Sequence, residues 1–202
     1  VEKEFIFLRH GETEWNKLNR YQGSLNIGLN ERGREQARQA ASLLEETREI
    51  DLIVSSDLDR ARDTASVVGE RMGLEVQLRQ DLREMDFGIW EGKDYPTIQE
   101  ESPEAYQKWL EDPVKNPPPE GESLVDFKER VVGVCQEILE REEEDVLIVC
   151  HGGVIMAYLA HILGMDLRDY RRLRVSNAGI SQVSYYERQP VLHTFNCTNH
   201  LS

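Results

Sequence analysis

Two histidines stand at the ends of apolar runs, and each is followed by glycine. Residues 4–8 (Glu-Phe-Ile-Phe-Leu) lead into Arg9-His10-Gly11, and Val146-Leu147-Ile148-Val149-Cys150 leads into His151-Gly152-Gly153. Short apolar runs closed by glycine read as buried strands feeding loops. In an open parallel sheet, ligands bind at the carboxyl ends of the strands. If these two strands are neighbours, both imidazoles meet in one crevice. Glycine there lets backbone approach a ligand closely, and a helix N-terminus at the same point favours an anion. A third run, Asp51 to Ser55, is followed by Ser56-Asp57-Leu58-Asp59-Arg60. Two arginines, Arg9 and Arg60, with two histidines make a site for a dianion.

The elements that must position these residues alternate between strand and helix. Asn30 is expected to cap a helix through about Glu45, with Ala37, Ala40, Ala41 and Leu44 on one face. Leu58, Ala61, Ala65, Val68 and Met72 fall at helical spacing, and Gly73 suits the stop. Ser123 is placed to cap a helix carrying Leu124, Phe127, Val131, Val134 and Ile138. A further helix is expected from Val154 to about Leu163, then strands near Ile180–Tyr185 and Val191–Phe195. This order predicts parallel β-α-β units in a three-layer α/β/α sandwich with a mostly parallel sheet. Residues 85–121, with Trp90, Tyr95, Tyr106, Trp109 and Asn116-Pro117-Pro118-Pro119, are less regular. They read as a lid or side subregion within a single domain of residues 1–202. Trp90, Tyr106 and Trp109 are expected in its core.

Composition narrows the function classes. The 202 residues carry 24 Lys+Arg against 38 Asp+Glu, a formal net charge of −14. So acidic a surface repels nucleic acid and anionic lipid, and neither is expected as a partner. That charge does not forbid a small phosphorylated ligand, because a few buried Arg and His residues can set a local positive field. The three cysteines, Cys135, Cys150 and Cys197, form no Cys-x-x-Cys pair, so no zinc site or disulfide framework is expected. They read as reduced thiols of a cytoplasmic protein. No apolar stretch reaches membrane-spanning length and no signal-peptide pattern opens the chain. Val1 in place of Met suggests trimming or an engineered boundary. Oligomerisation is compatible with the sequence but not specified by it.

The run Leu8-Arg9-His10-Gly11-Glu12-Thr13-Glu14-Trp15-Asn16 resembles the signature of the histidine phosphatase superfamily, also called the phosphoglycerate mutase-like family. Gln22-Gly23, Leu29-Asn30-Glu31-Arg32-Gly33, Ser55-Ser56-x-x-x-Arg60-Ala61, Leu82-Arg83-Glu84 and Cys150-His151-Gly152 follow in the family's order. The resemblance implies that His10 is the nucleophile and forms a phosphohistidine. Arg9 and Arg60 would lower its pKa by like-charge repulsion. Together with His151 they would hold the phosphoryl oxygens, with no metal and no cofactor required. Asn16 and the Gly152 N–H would add hydrogen bonds. Gln22 and Gly23 would line the phosphate site, or serve as turn residues shaping the loop. Glu84 resembles the family's proton donor, a role that needs a carboxyl pKa raised toward neutrality.

The bland alternatives are equally concrete. Arg60 could merely pair with Asp57 or Asp63, and His161, His193 and His200 have no motif around them. Within the family, a cofactor-dependent phosphoglycerate mutase needs further basic residues. Where its pattern has an Arg after the acid/base Glu, this chain has Met85. Tyr95 stands where a Lys is expected, although a small shift would bring in Lys93, and Leu110-Glu111 follows Trp109 where an Arg pair is expected. These departures favour a metal-independent phosphatase acting on small phosphate monoesters. Phe87-Gly88-x-Trp90-Glu91-Gly92, Trp109-Leu110-Glu111-Asp112-Pro113 and Gly121-Glu122-Ser123-Leu124 resemble α-ribazole phosphatases, making α-ribazole 5′-phosphate a candidate substrate. A non-catalytic phospholigand-binding module on the same fold is the alternative from another class.

Overall fold

The structure, a computed structural model, describes residues 3–187 and 189–201; Val1 lies outside the described residues. Strands β1 (Lys3–Arg9), β2 (Leu52–Ser56), β3 (Val76–Arg79), β4 (Asp145–Cys150), β5 (Ile180–Tyr186) and β6 (Gln189–Cys197) form one sheet in the order β3-β2-β4-β1-β5-β6. The first four pair in parallel, and β5 and β6 add an antiparallel end.

Strand periodicity sends alternate side chains to opposite faces. Phe5 and Phe7 of β1, with Val146 and Ile148 of β4, pack on one side against α6 (Leu124–Leu139) and α7 (Gly152–Ile162). Ile6 and Leu8, with Leu147 and Val149, pack on the other against α2 (Glu31–Thr47) and α3 (Asp59–Met72). Each such fully buried apolar side chain stabilises the fold by about 1.5–3 kcal/mol. The three-layer α/β/α architecture with a mostly parallel sheet is therefore as the sequence predicts.

The caps explain why the helices start where they do. Asn30 Oδ1 accepts the Gly33 N–H at 2.8 Å, and Ser123 Oγ accepts the Asp126 N–H at 3.1 Å. Gly73 closes α3 at φ 71°, the left-handed conformation that glycine adopts without a Cβ penalty.

Four elements were not anticipated. β3 is a four-residue edge strand whose Leu78 is 48% exposed, too short and too wet to leave an apolar signature. A one-turn helix, α1 (Glu14–Lys17), forms because Thr13 and Asn16 cap each other reciprocally. Within residues 85–121 the chain makes α4 (Tyr95–Glu101) and α5 (Pro103–Glu111), which break at Ser102-Pro103. Their Ile98, Tyr106 and Trp109 bury with Trp90 in a small core of their own, flanked by Tyr21 and Phe87. The aromatic cluster is core, as expected.

Candidate active site

The parallel pairing of β1 with β4 puts Arg9 opposite Cys150, so the residues that follow emerge side by side. His10 N–H donates to Cys150 O at 3.0 Å. The rings of His10 and His151 lie with centroids 5.2 Å apart. β2 is the other neighbour of β4, and it delivers Ser56 and then Arg60 to the same end of the sheet.

The loop carrying His10 is fixed from several directions. Gly11 N–H donates to Thr64 Oγ1 at 3.1 Å, and Ala178 N–H reaches the Arg9 and His10 carbonyls. Asn177 Nδ2 lies 3.2 Å from His10 O, 3.3 Å from Gly11 O and 3.0 Å from Asn16 Oδ1. A Cβ on Gly11 would fall 2.3 Å from Gly33 O. Only glycine permits that approach of the loop to the start of α2.

His10 is 2% exposed, and its Nδ1 lies 2.7 Å from Gly11 O. A carbonyl oxygen only accepts, so Nδ1 carries the proton and Nε2 holds the lone pair. Burial, more than the charges of Arg60 and Arg9, holds the His10 pKa well below the usual histidine range. His151 is fully buried and its pKa is depressed in the same way, by burial first and then by Arg60, His10 and Arg9. Both rings are neutral at physiological pH.

Arg60 is fully buried and pairs with neither Asp57 nor Asp63. Asp57 is held by Arg83 at 2.6 and 2.7 Å, and Asp63 by Arg62 at 2.9 Å. The Arg60 guanidinium instead donates to the carbonyls of Leu25 and Gly23, both at 2.7 Å. Arg9 Nη1 donates to Val175 O at 2.6 Å, and Ser56 Oγ lies 2.8 Å from His151 Nε2. Arg9 Nε, Arg60 Nε and His151 Nδ1 are buried without a hydrogen-bond partner among the described residues. Burial lowers the Arg60 pKa to about 10, with Glu84 opposing the shift, and lowers that of Arg9. Both remain cations at neutral pH. Buried cations and ring nitrogens without acceptors are the groups that an anion could satisfy.

Glu84 stands beside it. Its Oε1 accepts the Met85 N–H and its Oε2 accepts the Gly153 N–H, both at 3.0 Å, at the N-terminus of α7. Arg130, which the sequence did not single out, donates to the carbonyls of Asp81, Arg83 and Glu84 while paired with Glu122 at 2.7 Å. It fixes the backbone that presents Glu84.

The remaining sequence-derived residues separate by contact. Asn16 Oδ1 is engaged by Thr13 N–H and Asn177, which leaves its amide NH2 as the free donor end. Gln22 is buried and accepts from Thr13 Oγ1 at 2.7 Å. Gly23 adopts φ 51° and gives its carbonyl to Arg60, so in this structure both shape the loop. Gly152 packs on Arg9, where an added Cβ would lie 3.5 Å from Arg9 Nε. His161 and His193 are exposed and lie outside the site. Asn177, like Arg130, gave no sequence signal, because its partners lie more than 160 residues away.

Among the described residues no helix is long and apolar enough to cross a membrane, and no group of three metal-ligating side chains forms. Residues 5–198 match the family described as Histidine phosphatase superfamily (branch 1). The chain is 36% identical to Phosphoserine phosphatase 1 of Hydrogenobacter thermophilus over 199 residues, 98% of this chain and 94% of the relative. It is 35% identical to "Probable phosphoglycerate mutase GpmB" of Escherichia fergusonii, over 92% of this chain and 86% of that one. Its structure superposes on the α-ribazole phosphatase of Shigella flexneri with a TM-score of 0.88 at 31% identity, covering 96% of each chain. By its fold, its paired histidines and these likenesses, the chain belongs to the histidine phosphatase superfamily, branch 1.

Proposed function

We propose that this phosphomonoester hydrolase transfers the phosphoryl group of small phosphate esters through Nε2 of His10. The observation that carries the proposal is the His10 Nδ1–Gly11 O contact, which leaves Nε2 unprotonated on a ring whose charged neighbours are Arg60 and Arg9 and whose centroid lies 5.2 Å from that of His151. In the first step the Nε2–P bond forms as the P–O ester bond breaks, and Glu84 gives its proton to the departing alkoxide. In the second step Glu84 takes a proton from water, the water oxygen attacks phosphorus, and the N–P bond breaks. Arg9, Arg60, His151, Asn16 and the Gly152 N–H hold the phosphoryl oxygens, supplying the positive charge without a metal or cofactor in the scheme. Gln22 and Gly23 act by holding the loop and Arg60.

We take residues 1–202 as one catalytic domain, with about 85–121 as a side subregion; its separate aromatic core supports this division. Free Cys135, Cys150 and Cys197 support a reducing, cytoplasmic setting. The relatives' names make phosphoserine and α-ribazole 5′-phosphate the first esters to try. The mutase reading draws on the GpmB relative. Against it, Met85 is a buried apolar residue, Lys93 is ion-paired with Glu101 at 2.5 Å, and Leu110 and Glu111 are exposed.

Phosphate release from p-nitrophenyl phosphate, O-phosphoserine, 3-phosphoglycerate and α-ribazole 5′-phosphate tests the proposal. Turnover undiminished by EDTA and lost in His10→Ala is expected. Formation of 2-phosphoglycerate in place of free phosphate establishes the mutase instead. Ligand binding with no turnover of any ester leaves a binding module.

A further inference from the structure

Beside the phosphate site runs a groove of about 470 Å³, lined among others by Arg9, Asn16, Arg20, Tyr21, Arg174 and Asn177. Among the described residues no acidic one lines it, in a chain where 38 of 202 residues are Asp or Glu. Most arginines of this protein have a carboxylate within 4 Å, but among the described residues neither Arg20 nor Arg174 has one. Asp94, whose pKa is lowered chiefly by Thr97 and less by Arg20, is committed to the N-cap of α4, accepting from Thr97 N–H and Oγ1 at 3.0 and 2.6 Å. Burial lowers the Arg9 pKa, Glu84 opposes that shift, and Arg174 is close enough to add to it. Cations gathered without an ion-pair partner repel one another, and an anion relieves that repulsion.

The two arginines sit on the same supports as the phosphate-site residues. Arg174 precedes Val175, whose carbonyl holds the Arg9 guanidinium. Arg20 ends the loop begun by α1 and ties back to it through its N–H to Trp15 O at 2.9 Å, four residues beyond Asn16. Arg9 and Asn16 therefore form the wall shared by the phosphate site and the groove. Its volume exceeds what a single phosphate fills and suits the remainder of a small ester.

We infer that the groove is the leaving-group subsite, and that Arg20 and Arg174 bind a second anionic group, carboxylate or phosphate, on the alcohol portion of the substrate. The inference rests on the phosphatase reading above and gives its substrate class: phosphomonoesters carrying another negative charge. It also locates positive charge that Met85, Tyr95, Leu110 and Glu111 do not provide. Guanidinium pairs bind carboxylate and phosphate through charge-assisted, often bidentate, hydrogen bonds.

Matched esters test it. O-phosphoserine and O-phosphoethanolamine differ only by a carboxylate, and fructose 1,6-bisphosphate and fructose 6-phosphate differ only by a phosphate. Wild-type enzyme is expected to favour the more anionic member of at least one pair by about tenfold in kcat/KM, the scale of one charge-assisted contact. The pair that discriminates tells which anion the groove takes. In R20Q/R174Q the preference falls to within about twofold, chiefly through a higher KM for the anionic member. Both side chains are exposed, and a ratio measured on one preparation does not depend on its folded fraction. Equal rates on both members of both pairs, or a preference the double variant keeps, overturns the subsite while leaving the phosphatase standing. No phosphate release from any ester, p-nitrophenyl phosphate included, overturns the phosphatase reading and the subsite with it.

Discussion

The imidazoles of His10 and His151 face each other at 5.2 Å between centroids, two titratable rings kept neutral by the same burial and the same two arginines. That neutrality links the site to stability. In the unfolded chain each ring titrates near pH 6.5; in the folded chain each does so well below that. Between those limits the unfolded state binds protons that the folded state refuses. Stability is therefore intact above about pH 6.5 and falls as the pH drops below it, by about 1.4 kcal/mol per pH unit for each ring. Urea unfolding of wild type and His10→Asn between pH 7.5 and 5 checks this. The wild-type stability should decline more steeply, since asparagine has no proton to gain. Parallel declines would show that His10 titrates normally when folded.

Ser56 bears on the phosphate-binding role proposed for His151. The ring's Nε2 is 2.8 Å from Ser56 Oγ while its Nδ1 has no partner among the described residues. For Nδ1 to donate to a phosphoryl oxygen it must hold the proton, so the serine hydroxyl donates to Nε2. Ser56→Ala leaves a buried ring nitrogen unpaired, costing about 1–3 kcal/mol, and releases the tautomer. A lower Tm is expected together with a fall of about tenfold in kcat, the lower range for one electrostatic donor. A lower Tm with unaltered kcat would reduce Ser56 to a structural residue.

Glu84 makes a prediction about leaving groups. If its carboxyl protonates the departing oxygen, its removal matters in proportion to that oxygen's basicity. Glu84→Gln keeps the shape and should lower kcat for alkyl esters such as glycerol phosphate by about 10²–10⁴. For p-nitrophenyl phosphate, whose phenolate leaves unaided, the loss of kcat should be far smaller. A uniform loss on both esters would point away from proton transfer.

The meeting of the two histidines was legible because strand ends carry them. Arg9-His10-Gly11 and His151-Gly152-Gly153 each follow an apolar run, and β-α-β order places parallel strand ends together. Asn30, Ser123 and Gly73 marked helix ends through chemistry local to the chain. What escaped notice depends on distance in sequence. Arg20 and Arg174 are 154 positions apart and meet only through the sheet, so no window of sequence contains their shared groove. Asn177 and Arg130 act on backbone carbonyls, which no residue pattern reveals. β3 escaped because an exposed edge strand is held by backbone bonds to β2, with little apolar burial to announce it.

Gly153 offers a way to separate chemistry from folding. It occupies the first turn of α7, where its N–H holds Glu84 Oε2 at 3.0 Å. A Cβ there would lie 2.2 Å from Glu84 Oε1, a contact that cannot exist. The helix backbone is fixed by its own hydrogen bonds, whereas the carboxylate is the end of a flexible side chain, so the carboxylate moves. Alanine is otherwise the better helix former, by as much as about 1 kcal/mol within a helix. Gly153→Ala should thus keep its Tm within a few degrees of wild type, or raise it, while turnover of alkyl phosphates falls. The pattern across leaving groups should follow that of Glu84→Gln, because both changes withdraw the same proton donor. Melting curves and rates on glycerol phosphate and p-nitrophenyl phosphate decide the matter. An unimpaired rate on glycerol phosphate would mean that Glu84 works from a position other than the one the α7 N-terminus gives it.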